Sequence, residues 1–180
     1  MKQIFFLFLL FFTLSSVAQQ TEYVDFKTAN ALLSVEVDSS KISGKVWYSF
    51  NVLKPIDSIY IDAVNMEIEN VEIKVNKSNI QTVDYNYNGK KLWVKEDLKK
   101  GDLGTVYFDY SAKPKKALYF VEKEDGIQIW TQGQGKYTSN WLPSIDDVND
   151  KIIFNISVVF DDEYKVISNG LQTLNIPLSE

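Results

Sequence analysis

The side chains available for proton transfer or metal binding in this chain are carboxylates, lysine amines and phenols, because its 180 residues include 0 His and 0 Cys. Imidazole and thiolate are the usual ligands of zinc, copper and haem, and the usual bases and nucleophiles of covalent catalysis. A Ser-His-Asp triad, a Cys-His dyad, a His-Glu-x-x-His zinc site and a disulfide are therefore excluded. Composition still permits a two-carboxylate glycosidase, but its acids must face one another across a cleft, and most carboxylates here fall where solvated turns and strand faces are expected. Asp146-Asp147 with Asp150, and Asp161-Asp162-Glu163, present oxygen ligands that suit calcium. Neither has the Asp-x-Asp-x-Asp-Gly spacing of a dedicated loop, so solvated acidic turns are expected. Trp47, Trp93, Trp130 and Trp141, with 10 Tyr, could stack on sugar rings. Aromatic residues also favour strands and fill sandwich cores, and packing is the expected role of each Trp.

A less ordinary segment is Thr131-Gln132-Gly133-Gln134-Gly135. Alternate glycines at the end of a strand remove side chains and allow another backbone or a ligand to approach closely. On an extended chain Gln132 and Gln134 would point the same way, offering two neutral amides that both donate and accept. Such groups can grip the polar ends of a peptide without adding a competing charge.

The elements that must carry these residues read as strands. Val46, Tyr48, Phe50 and Val52 alternate with Lys45, Trp47, Ser49 and Asn51, a period of two. Ile59, Ile61 and Val64, then Ile68, Val71, Ile73 and Val75, continue the habit. Val83, Tyr85 and Tyr87 lead into Asn88-Gly89, and Leu92 and Val94 follow, which predicts a hairpin. A second hairpin is expected at Asp125-Gly126, joining Leu118–Val121 to Ile127–Trp130. Ile153–Phe160 and Tyr164–Ser168 read as two more strands around the acidic turn, and Thr21–Asn30 reads as a loose arm. With no helical periodicity, the predicted fold is all-β, a mostly antiparallel twisted sandwich or saddle.

The balance of 19 Lys plus Arg against 24 Asp plus Glu gives −5, and every basic residue is Lys. Nucleic acid is an unsuitable partner for such a surface. Met1-Lys2, the apolar run Ile4–Phe12 and the small residues Ser15-Ser16-Val17-Ala18 read as a secretory leader over 1–18. Its apolar run is shorter than the ~20 residues of a membrane span, so cleavage, export to the periplasm or medium, and no stable membrane anchor afterwards are expected.

From Thr131 to Lys151 the chain reads Thr-Gln-Gly-Gln, a spacer, Trp-Leu-Pro-Ser-Ile-Asp-Asp-Val and a lysine, and later Val166-Ile167-Ser168-Asn169-Gly170. This resembles the N-terminal domain of the aminopeptidase N family of zinc aminopeptidases, which includes the leukotriene hydrolase. The family pattern is Thr-Gln-x-Gln/Glu, then aromatic-Pro-Cys-x-Asp-x-Pro-x-x-Lys, a long strand and a Ser-Asn turn. Ser144 stands where Cys is common, Val148 where Pro is usual, and the Arg before the aromatic-Pro step is missing. The resemblance implies a β-saddle over 19–180 that packs on a separate catalytic domain. It implies that Gln134 helps hold the substrate's N-terminal end and that Gln132 lies near the first side-chain pocket. Pro143, Asp146 and Lys151, with Asn169 in the Ser-Asn turn, match the structural motif, in which a rigid turn is followed by a carboxylate that satisfies loop N–H groups.

The resemblance also implies partners, namely peptide N-termini and a zinc-bearing catalytic domain. The zinc motif itself is not in this sequence. The expectation is thus a substrate-anchoring domain with no catalytic residue, metal ligand or cofactor of its own, a fragment or truncated relative lacking its closing strands, with an unpaired edge near Tyr164–Asn169. The alternative is an exported β-sandwich that binds surface glycan through exposed Trp. Purified chain supplied with zinc is expected not to cleave aminoacyl-anilides above a buffer blank, because Asp, Glu and Lys cannot rebuild a His-based zinc site. Turnover that survives repurification contradicts this.

Overall fold

The computed structural model describes residues 19–124, 126–161 and 163–174. The leader expected over 1–18, Asp125 of the second hairpin, Asp162 of the acidic turn and residues 175–180 lie outside the described residues. The strands in chain order are β1 (Val24–Glu36), β2 (Lys41–Val52), β3 (Ile56–Asp62), β4 (Met66–Val75), β5 (Gln81–Thr82), β6 (Tyr85–Tyr87), β7 (Lys91–Leu98), β8 (Leu103–Ala112), β9 (Leu118–Lys123), β10 (Gly126–Thr131) and β11 (Ile153–Val159). A 6-stranded sheet runs β11-β1-β2-β8-β4-β5, a 3-stranded sheet β3-β7-β6, and β9 and β10 form a 2-stranded ribbon. Pairing is antiparallel throughout except between β1 and β11, which are parallel. The expected all-β, mostly antiparallel architecture is what the chain adopts.

Period-two alternation builds the core. On β2 the side chains of Ile42, Val46, Tyr48, Phe50 and Val52 are buried, and on the neighbouring β8 so are Val106, Phe108, Tyr110 and Ala112. Ile59 and Ile61 of β3 and Leu92 and Val94 of β7 are fully buried in the same cluster, so the large and the 3-stranded sheet share one apolar interior. Phe26 meets Tyr48 edge to face, with ring centres 6.0 Å apart.

Bulges on β1 and β4 shift the phase of the pattern. Val24 and Phe26 face inward, the register slips between Phe26 and Thr28, and Ala29, Ala31 and Leu33 then take the inward positions. Thr21–Asn30 is therefore not the loose arm its sequence suggests. Residues 24–30 belong to β1, and the slip at Lys27 hides their alternation. On β4 the slip lies between Glu69 and Glu72, with Asn70 at φ 52°, and it turns Val71 and Ile73 inward after Met66.

Both predicted hairpins form. At the first, Asn88 N–H donates to the Lys91 carbonyl at 3.3 Å, so the central pair is Gly89-Lys90, and only the glycine, at φ 80°, needs the left-handed region. Ile153–Val159 is a strand as expected. Tyr164–Ser168 is not, a correction to the sequence reading: it follows a turn closed by Tyr164 N–H on the Asp161 carbonyl, and Val166 and Ile167 are exposed, with no neighbouring strand in register among the described residues. The sheet edge on this side is β11, where Ile153, Phe154 and Ile156 are exposed.

Gly104 lies opposite Phe50 in the β2–β8 register, and a Cβ there would stand 2.1 Å from the Phe50 ring. Gly104→Ala must displace a buried aromatic, and the expected cost is ~1–3 kcal/mol. Urea titration should show a lower midpoint at an unchanged slope. An unaltered midpoint would show that Phe50 can move freely.

Candidate functional site

The glutamine segment begins where β10 ends. Gln132 N–H donates to the Ala117 carbonyl at 2.8 Å, and the chain then turns through Gln134–Tyr137, with Gly135 at φ 81° and Lys136 at φ 67°. Gln132 and Gln134 are both exposed, but beyond the strand. The argument that i and i+2 share a face therefore does not extend to them, because it holds only for extended chain. A Cβ on Gly133 would lie 2.8 Å from the Thr138 hydroxyl oxygen, so this glycine is where the segment sits against the residue that opens a short 3-10 turn, Thr138–Asn140. Lys116 lies over the Tyr137 ring, 5.1 Å from its centre, on the neighbouring rim.

The chain beyond that turn is clamped to the sheets. Val64 N–H donates to the Ser139 carbonyl at 2.8 Å, and Asp62 and Ser144 exchange two backbone hydrogen bonds of 2.8 Å each. From inside the core, the Tyr48 hydroxyl donates to the Pro143 carbonyl at 2.6 Å and the Tyr110 hydroxyl to the Trp141 carbonyl at 2.9 Å. Ser139 and Ser144, both buried, donate their hydroxyls to the two oxygens of Asp146. Asp146 N–H in turn donates to Asp62 Oδ2 at 3.0 Å. Lys91 Nζ lies 3.5 Å from Asp62 Oδ1 and 3.4 Å from the centre of the Tyr60 ring.

Acidity follows this packing. Burial pushes the Asp62 carboxyl above the usual carboxylate range, against the opposing pull of the Asp146 N–H and of Lys91. Burial likewise raises Asp150, whose carboxylate accepts Phe26 N–H at 3.2 Å at the β1 bulge. The Tyr48 phenol is driven up by burial and stays protonated.

Each acid of the 146–150 cluster is thus engaged with protein donors. Asp146 holds two serines, Asp147 accepts Asn149 N–H at 3.0 Å, and Asp150 holds the bulge. The loop N–H of Asp146 is satisfied by Asp62 of β3, whereas Asp146 itself binds hydroxyls. Pro143 is buried, while Lys151 and Asn169 are exposed. Asp62, Tyr48, Tyr110 and Ser139 were not singled out by sequence. Tyr48 and Tyr110 fall in the inward phase of β2 and β8, and a phenol at a core position is the one sign that a carbonyl must be nearby. The pairing of Asp62 with Asp146 had no sequence signal.

The tryptophans do not form one platform. Trp47 faces Tyr107 across β2 and β8, Trp93 faces Tyr60 across β7 and β3, and Trp130 faces Tyr119 across β10 and β9, in three different sheets. Cross-strand aromatic pairs of this kind stabilise the sheets that carry them. The last two pairs have ring centres 4.8 and 4.6 Å apart.

These features define a β domain that presents a glutamine segment beside a clamped loop. The family model of the Peptidase M1 N-terminal domain matches residues 21–175, and the chain belongs to that family. Among solved structures it is similar to an M1 zinc metallopeptidase from Deinococcus radiodurans, with 18% sequence identity and a TM-score of 0.63 over 76% of this chain and 32% of that one. A form of M1 zinc metallopeptidase from the same organism bound to a Tyr-Ser-Ala substrate gives 17%, 0.60, 76% and 32% in the same order. Leukotriene A4 hydrolase from Saccharomyces cerevisiae gives 17%, 0.63, 81% and 26%. The chain therefore spans between 26% and 32% of the length of these structures, and the likeness is one of fold. A search of curated proteins gave no match. The zinc of those metallopeptidases has no fitting donors here: the chain has 0 His and 0 Cys, and among the described residues no group of three or more acidic side chains is placed to hold a metal ion.

The raised pKa of Asp62 has a measurable consequence. A carboxyl whose folded-state pKa exceeds its unfolded value contributes stability that is present below the unfolded pKa and is lost as pH rises through the folded one. Asp62→Asn keeps an oxygen for Asp146 N–H and removes the charge. Between about pH 4 and pH 7 the variant should gain in stability relative to the native chain as pH rises, measured by denaturant titration at each pH. A difference that does not change with pH, or changes in the opposite sense, would show that Lys91 and not burial governs Asp62.

Proposed function

We propose that the chain is the substrate-anchoring N-terminal part of an exported zinc metallo-aminopeptidase, contributing binding groups and no catalytic group to the hydrolysis of the peptide's N-terminal residue. Membership of the M1 N-terminal family supports the parentage, and the leader read over 1–18 supports export. The observation that carries the anchoring role is the contrast at Gln132–Gly135. The segment is exposed at the end of β10, while the chain that follows is pinned through Ser139, Pro143 and Asp146. Exposed amides on a fixed support are suited to a ligand whose polar groups both donate and accept. An ammonium group at a peptide's N-terminus can donate to the Gln134 carbonyl oxygen, and the same amide's NH2 can donate to a peptide carbonyl. Gln132 faces the adjoining side-chain position, and zinc and the water it activates are supplied by a separate catalytic domain.

The test starts with the coding DNA downstream of the Glu180 codon, where an in-frame or frameshifted His-Glu-x-x-His is expected. In the protein encoded by the whole reading frame, restored if it is shifted, Gln134→Ala should raise KM for aminoacyl-peptides about tenfold, the worth of one hydrogen bond of ~1.4 kcal/mol, and leave the melting temperature unchanged. A reading frame followed by a complete intergenic gap, or an unaltered KM and kcat, would defeat the proposal.

A further inference from the structure

The groups that grip a ligand are only as good as the support that holds them, and here the support can be traced bond by bond. Asp62 stands at the end of β3, next to Ile61 and Ile59 in the core, so its backbone belongs to a rigid element. Its own N–H and carbonyl bond Ser144, and its carboxylate accepts Asp146 N–H. Asp146 reaches back with its other end to the Ser139 hydroxyl. Ser139 is further held by Val64 N–H on its carbonyl, and its neighbour Thr138 accepts backbone bonds of 3.0 Å from Trp141 and Leu142. Thr138 then meets Gly133, whose missing Cβ leaves room for the Thr138 hydroxyl, and Gly133 lies between Gln132 and Gln134. Gly133 is not among the residues at positive φ, so what a side chain lacks there is space and not an allowed backbone conformation.

We propose that Asp62 is a positioning residue for the Gln132–Gly135 segment, acting through Asp146, Ser139 and the Thr138–Gly133 contact. This deepens the anchoring role and rests on it for its consequence in binding, while the mechanical connection stands on the geometry alone. Asp62 touches no part of the segment. It acts by fixing one end of the loop on which the segment rests, and it needs only an acceptor oxygen to do so, which makes asparagine a competent substitute and alanine an incompetent one. Gly133 and Thr138 form the other end of the connection, where steric fit replaces hydrogen bonding.

Hydrogen–deuterium exchange of the mature chain, followed by mass spectrometry, reads the connection without any activity. Asp62→Ala should speed exchange over 131–141 about tenfold, with β2 and β8 unchanged, and Asp62→Asn should restore the native rate. Gly133→Ala should speed exchange over the same residues, and Thr138→Ala added to Gly133→Ala should reverse it by removing the clash. If Asp62→Ala unfolds the chain, recovery by Asp62→Asn and the Gly133 pair decide the matter. Unchanged exchange over 131–141 in both Asp62→Ala and Gly133→Ala, or failure of both rescues, overturns the proposal. In the protein encoded by the whole reading frame, Asp62→Ala should raise KM with kcat retained, and Asp62→Asn should restore it. If Gln134→Ala leaves KM unaltered while the exchange pattern holds, the anchoring role fails and the connection survives.

Discussion

A phenol sealed inside an apolar core must give its proton to an acceptor, and Tyr48 gives it to the backbone of a loop nearly a hundred positions later in the chain. The bond to the Pro143 carbonyl runs from a fully buried side chain at the centre of β2. Ionisation offers no escape, since burial pushes the phenol well above its ordinary pKa. The loop must therefore dock if the core is to be satisfied, and Tyr110 repeats the requirement from β8. Folding of the sheets and placement of the loop thus become one event.

Once the loop is docked, its acids become a liability that the structure has to offset. Asp146 and Asp62 meet in a partly desolvated place where two carboxylates repel. Hydroxyls from Ser139 and Ser144, the Asp146 backbone N–H and the Lys91 ammonium supply the opposing dipoles and charge. Asp150 takes the N–H of Phe26 at the β1 bulge, so a defect in one strand is the receptor for the far end of the same loop. The acidic cluster that a sequence reader weighs as a calcium ligand set is thus used as a set of hydrogen-bond acceptors for the protein itself.

The functional reading follows from what this docking leaves exposed. Between the ribbon of β9 and β10 and the pinned residues after Ser139, the glutamine segment is exposed, and among the described residues its backbone anchor is the Gln132 bond to Ala117. The segment lies within the stretch matched by the Peptidase M1 N-terminal family, and the chain shares the fold of M1 zinc metallopeptidases. On the proposed reading, the chain's own contribution is neutral amides on a firm base.

The sequence by itself determined the all-β class, the inward rows of β2, β3 and β7, the two hairpins and the absence of any imidazole or thiolate chemistry. These are local properties: side-chain period, turn residues and residue inventory need no knowledge of what lies across the core. It misread Thr21–Asn30, where a bulge at Lys27 interrupts the alternation, and Tyr164–Ser168, where alternation is present but, among the described residues, no partner strand is. Family motifs marked Pro143 and Asp146 but not what they touch. Only the tertiary structure decided that Asp62 meets Asp146, that Tyr48 and Tyr110 hold the loop, and that Gln132 and Gln134 lie beyond the strand, because contacts between residues 62 and 146 or 48 and 143 leave no periodic trace in a chain and are set by how the sheets close on one another.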